Sequence, residues 1–228
     1  MKKTLLLLAT ATLLSLSSFA QWSIGLSGGY AYNHYDYDPQ YMYGFSFRGH
    51  HGIAIDIPVG YQFGEHLGVF SGLSAQQKGY WMKGVTSVGA FYPFVYRNDW
   101  YLVTPLVVEY KHGGENFNHF IDVGGYAAGW IASTFYLIGL TQSGETPSFH
   151  FGYKEFNNCV DNRMEFGLVA GTGIEWQTKT LHTWFTHVRC YFALSSQQKH
   201  YQTMFFPSRN TTVLFQIGKK FSIKPSRK

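Results

Sequence analysis

Charge is scarce in this chain. Only 14% of its 228 residues are Asp, Glu, Lys or Arg, with 18 basic residues against 13 acidic ones. So small a basic surplus, with no basic run, excludes a nucleic-acid partner. Cysteine is scarcer still, with Cys159 expected in a loop and Cys190 in mid-strand. If their strands pair through a turn near residue 179, the two lie ~30 Å apart along the strand at ~3.4 Å per residue, and no disulfide is expected. No cysteine follows the N-terminal apolar stretch, which excludes a lipoprotein. Past residue 20 no apolar run approaches the ~20 residues of a membrane-crossing helix. Pro/Ser linkers and charge blocks are absent as well, so residues 21–228 read as one domain.

What is present begins with an export signal. Lys2 and Lys3 precede an apolar core from Leu5 to Leu16, and Ser18-Phe19-Ala20 forms a small-x-small cleavage site. Residues 1–20 are expected to be a cleaved secretory signal peptide, with the mature chain starting at Gln21. Aromatics make up 19% of the sequence and glycine 25 residues, a composition that suits a β-sandwich or a membrane β-barrel.

Alternation decides between these. Trp22, Ile24, Leu26, Tyr30 and Tyr32 share one parity, while Ser23, Gly25, Ser27, Gly29 and Ala31 share the other. Seven further segments repeat the pattern, near residues 53–63, 67–81, 99–111, 118–136, 165–176, 183–194 and 212–221. Pro58 in the second should mark a bulge or bend, because proline removes a ladder hydrogen bond. Trp130 in the fifth falls on the wrong parity unless Gly124-Gly125 carries a bulge. Ser148 to Tyr153 alternates enough to form an extra hairpin arm projecting outside.

The connections alternate too. Those at about 33–51, 82–98, 137–163 and 199–210 are long, and the others are short turns. This predicts a closed up-and-down antiparallel transmembrane β-barrel of about eight strands, with short periplasmic turns and long extracellular loops.

Backbone groups in lipid must be paired within the protein, so a spanning β-structure closes and turns an apolar face outward. The Ile/Leu/Val parity supplies that face. Trp22, Tyr61, Phe63, Tyr110, Trp176 and Trp184 share its parity at periplasmic strand ends, and Trp100, Tyr30 and Tyr32 stand at the other rim, as interfacial aromatic girdles should. The inward parity collects Asp56, Glu109, Asp122, Glu165, Glu175 and Arg189, which a soluble sandwich would not bury. Eight strands enclose packed side chains rather than a pore, so these form a structural polar network. Within it Arg189 should pair with Asp56 or Asp122, since a buried guanidinium needs a carboxylate.

Two of these strands carry a resemblance. Tyr101-Leu102-Val103-Thr104-Pro105-Leu106-Val107-Val108-Glu109-Tyr110-Lys111 resembles the Y-L-x-x-P-L-x-x-K-Y strand of PorT-like outer-membrane β-barrel proteins. The segment from Glu165 to Trp176 is similar to that family's F-G-x-x-x-G-x-G-x-E strand, and Arg189 matches an inward arginine on the next one. The resemblance implies an eight-stranded outer-membrane barrel, commonly of undefined role, with some members tied to protein secretion. It implies no catalytic residues.

Ser71, His187 and Ser195 form no nucleophile motif. The histidines, among them His34, His50 and His51 in the first long loop and His112 and His119 near a turn, lack metal-ligand spacing. No cofactor is expected. The expected partners are outer-membrane lipid and lipopolysaccharide, with glycan or envelope-protein contact through aromatic, polar outer loops. The expected function is a structural or interaction role in the outer membrane without catalysis. Two alternatives stand beside it: a membrane-embedded envelope-lipid hydrolase or acyltransferase, and a soluble periplasmic barrel binding a small lipid. The sequence assigns no oligomeric state.

Overall fold

The computed structural model describes residues 21–36, 45–84, 94–114, 116–139, 148–156, 161–178, 182–197 and 208–223. The expected signal peptide and Cys159 lie outside them. The described strands are β1 (Gln21–Asp36), β2 (Phe45–Gln62), β3 (Leu67–Gly84), β4 (Phe94–Gly113), β5 (Phe117–Gly139), β6 (Ser148–Tyr153), β7 (Met164–Gln177), β8 (His182–Ala193) and β9 (Arg209–Ile223).

Eight of them close a ring. Neighbours pair antiparallel from β1 to β5, β5 pairs β7, and β9 returns to β1 over the full run from Trp22↔Ile223 to Asp36↔Arg209. The remaining strand, β6, pairs only the upper end of β5, from Thr134↔Tyr153 to Gly139↔Ser148. It is the expected extra arm.

The register sets the stagger. Following hydrogen-bonded partners from Glu175 leads through Phe185, Gly218, Ser27, Asp56, Ser74, Val103 and Ala128, and returns to β7 at Glu165. The path re-enters its own strand ten residues from where it left. A shear of ten over eight strands implies a strand tilt of about 40°, which leaves an interior wide enough for side chains alone.

The chain folds this way because of its period-two pattern. Val103, Val107, Phe120, Val169, Tyr191 and Leu214 point inward and are buried, while Leu106, Val123, Ile55, Leu168 and Ile217 point outward and are exposed. An exterior so apolar is the mark of a lipid-facing surface.

Four expectations change. Strands extend well into the segments expected as long loops, so the loops are shorter than supposed. β5 has 23 residues, against the ~10 that cross a bilayer, and its upper third stands beyond the membrane with its neighbours. Trp130 points inward, against Tyr101. It keeps the inward parity of Asp122, Tyr126 and Ala128, because the ladder at Gly124-Gly125 is regular and the bulge of β5 comes only after it, at Ile131 opposite Trp100 and Tyr101.

Pro58 shifts no register. It pairs with Gly72, whose φ of +153° and bare α-carbon let the strands close, since a β-carbon there would meet the Ile57 carbonyl at 2.4 Å. The bulge of β2 lies instead between Gly49 and Ala54. His50 and His51, expected in a loop, are strand residues of unlike exposure. His50 is fully buried beneath Tyr96 (2.8 Å), and His51 meets Tyr30 outside.

Candidate functional site

The lumen is filled by charged and polar side chains in layers. Nearest the periplasmic turns, Glu109 and Glu175 share Lys111 and Lys220. Lys111 Nζ lies 2.7 Å from Glu175 and 3.2 Å from Glu109, and Lys220 donates to Glu175. Lys220 reaches this layer among Phe70, Phe120 and Phe185, with its ammonium 4.5 Å from the centre of the Phe70 ring. Two carboxylates and two ammonium groups neutralise one another, which makes their burial tolerable.

In the middle layer Arg189 Nη2 lies 2.6 Å from Asp122 Oδ2, and His187 Nε2 is 3.1 Å from the same oxygen. Of the two carboxylates expected for Arg189, it is Asp122 that the guanidinium meets. Asp56 is held by Gln216, whose amide donates to its Oδ2. A cavity beside these residues, lined among others by Asp56, Pro58, Phe120 and Arg189, holds about 30 Å³. That is room for about one water.

Above them Glu165 accepts from Lys78 Nζ (2.5 Å), Tyr126 Oη (2.9 Å) and Asn210 Nδ2 (2.7 Å). The outermost layer pairs Arg97 with Asp99 at 2.9 Å, and Gln197 reaches in from the segment after β8 to donate to Asp99 and Tyr101. Arg97 and Lys154 lie over the Trp130 ring at 4.4 and 4.5 Å, and Phe156 meets it edge-on. The segment after β6 thus caps the barrel.

All six expected lumen residues stand inside the barrel, in three separate layers. Reading the sequence for acids and one arginine missed Lys78, Arg97, Asp99, Lys111 as a partner, and Lys220. The signal was present, because Lys78 continues the inward parity of Ser74 and Gln76, and Lys220 that of Gln216 and Gly218.

Outside, the expected girdle residues Trp22, Tyr61 and Phe63 form a chain of edge-to-face contacts at 4.8 and 4.9 Å. Trp176 pairs with Trp184, and Lys219 lies over the Trp184 ring. Tyr110 neighbours His66 on the same rim. Phe117 and Phe221, not anticipated, extend this end of the barrel. Trp100 is half-buried at the β5 bulge, at the opposite end. Cys190 is exposed on the outer face.

Ser195 and His187 do not meet each other, and the hydroxyl of Thr172, 3.0 Å from His119 Nε2 on the outer face, also bonds the Phe120 carbonyl. Ser195 hydrogen-bonds the backbone of Phe166, and His187 is enclosed beside Asp122 and Arg189. Among the same residues no three His, Cys, Asp or Glu side chains gather as metal ligands.

A closed eight-stranded ring with an apolar exterior and a packed polar interior defines the fold of the small outer-membrane β-barrels. One solved structure carries the same fold. The outer membrane protein OprG from Pseudomonas aeruginosa superposes with a TM-score of 0.53 at 12% identity, covering 91% of this chain and 98% of that one. Neisserial surface protein A is similar over 90% of this chain and 99% of its own, with a TM-score of 0.45 and 10% identity. No protein-family model and no curated protein sequence matches the chain.

Proposed function

We propose that this chain is an exported outer-membrane protein of the PorT-like kind, made as a precursor with a signal peptide at residues 1–20 and a barrel domain at 21–228. Its role is structural or interactive within the cell envelope, without catalysis and without an open pore. The observation that carries this reading is the contrast between the two faces. The lumen is closed by layered ion pairs, so there is nothing for a solute to traverse, while the outer belt of Leu106, Val123 and Ile55 is suited only to lipid.

The lumen residues Asp56, Glu109, Asp122, Glu165, Glu175 and Arg189 then serve to fix the barrel, and Trp22, Tyr61, Phe63, Tyr110, Trp176, Trp184 and Trp100 to set its depth. Contacts are left to the outer end, where lipopolysaccharide, glycan or an envelope protein would be met. Fractionation of cells expressing the full precursor tests this. A mature mass starting at Gln21, outer-membrane recovery and gel mobility that shifts on heating are expected. A soluble periplasmic species would overturn the reading and make the interior a ligand cavity.

A further inference from the structure

Above the lipid belt the outer face of the sheet carries a row of aromatic rings. Trp81 on β3 pairs with Tyr96 on β4, Tyr96 with Tyr136 on β5, and Tyr136 with Phe151 on β6. Their ring centres are 5.0, 6.0 and 5.0 Å apart, and Tyr153 continues the row from Phe151 at 5.3 Å. Cross-strand pairs on one face bring side chains this close by construction. The rings are not absorbed into a core: Trp81 and Tyr136 are each 46% exposed, Phe151 54% and Tyr153 75%. Tyr96 anchors the row from beneath through its hydrogen bond to buried His50.

The height of the row excludes the acyl chains as its neighbours. Tyr96 lies four residues beyond Trp100 on β4, about 13 Å along the strand and, at the barrel tilt, about 10 Å further from the membrane centre. The row climbs again toward β6, because the hydrogen-bonding direction is tilted as well. It therefore stands among the saccharides and phosphates of the outer leaflet, not in lipid.

Its charge points the same way. Arg48 pairs directly with Trp81, and Lys83 lies two residues above Trp81 with its ammonium 5.6 Å from the Phe94 ring. Both are exposed. Among the described residues of β2 to β6 on this face there is no carboxylate, and Glu155 stands past the end of β6. Ring faces carry partial negative charge that attracts the C–H face of a pyranose, and the flanking cations suit phosphate.

We infer that this ladder of Trp81, Tyr96, Tyr136, Phe151 and Tyr153, flanked by Arg48 and Lys83, is a docking surface for the phosphorylated saccharide of lipopolysaccharide in the same leaflet. The inference rests on the outer-membrane reading above. Sugar rings stack along the ladder while phosphates meet the cations, and the barrel is seated against its surrounding lipopolysaccharide on one side.

Titration calorimetry on the mature barrel in detergent tests it, with deacylated, phosphate-bearing lipopolysaccharide backbone as the probe. Wild type should bind, and Tyr136→Ser with Phe151→Ser should bind at least about tenfold more weakly while keeping its heat-shifted mobility. Arg48→Gln with Lys83→Gln should lose affinity for the phosphate-bearing backbone but not for its dephosphorylated form. No binding by wild type, equal binding by the ring variant, or a ring-dependent dimer of this chain in place of saccharide binding would overturn it. Membrane recovery and heat-shifted mobility report on the outer-membrane reading separately, so failure of the docking surface leaves that reading standing.

Discussion

Arg189 reaches Asp122 across Gly171. The three residues occupy one hydrogen-bonded row, from β8 over β7 to β5, and a β-carbon on Gly171 would meet Asp122 Oδ1 at 2.7 Å and His187 Nε2 at 2.6 Å. The missing side chain of the middle strand is what lets a guanidinium and a carboxylate two strands apart come within 2.6 Å. Glycine here is a matter of space, not of backbone conformation.

The pair should matter most when half of it is removed. Arg189→Leu leaves Asp122 buried beside His187 without its guanidinium, a change that costs about 3–5 kcal/mol in comparable sites. Thermal unfolding of the purified barrel, followed by loss of the heat-shifted gel band, should show a clearly lower transition. An unchanged transition would mean the pair contributes nothing to holding the lumen.

Gly72 is required for a different reason. Its φ of +153° is one that other residues rarely adopt, and the Ile57 carbonyl and the Pro58 α-carbon crowd its bare face. Gly72→Ala should destabilise the barrel by about 1–3 kcal/mol. The denaturant midpoint measures it, and a midpoint equal to wild type would show that β3 can relax at this point.

Leu106 is 62% exposed near the middle of β4's membrane-crossing stretch. On a lipid-facing surface Leu106→Arg should cost about 2–4 kcal/mol and lower the yield of folding into bilayer vesicles. In water the same change on a surface leucine would be close to neutral, so equal folding of both forms in vesicles would count against a lipid belt.

Cys190 faces outward from β8, between the two rims. In a Cys159→Ser background within lipid nanodiscs, an uncharged, lipid-soluble maleimide should label it, and a charged thiosulfonate should not. Rapid labelling by the charged reagent would place this surface in water.

Much of this was legible in the sequence because a strand's facing is a local property. Side chains alternate with a period of two, so the inward position of Asp122 or Glu165 and the outward position of Leu106 follow from counting along one strand. The extra arm at Ser148–Tyr153 was legible for the same reason. Lys78 and Lys220 could have been placed inside by the same counting, had the parity been carried to the strand ends.

What counting cannot reach is which inward residues meet. Arg189 finds Asp122 and not Asp56 because the registers of β8 on β7 and of β7 on β5 bring Gly171 between them, and no single strand specifies those registers. A single extra residue at Ile131 reverses the facing of β5 above it, so that Ser133 turns inward, and just below that point Trp130 meets Arg97, Lys154 and Phe156 from other parts of the chain. The row of rings from Trp81 to Phe151 likewise exists only once β3, β4, β5 and β6 are in register. Alternation along the chain settled which face each residue takes, while the partners it meets there depend on closure of the barrel, since only closure sets strands distant in sequence at matching heights.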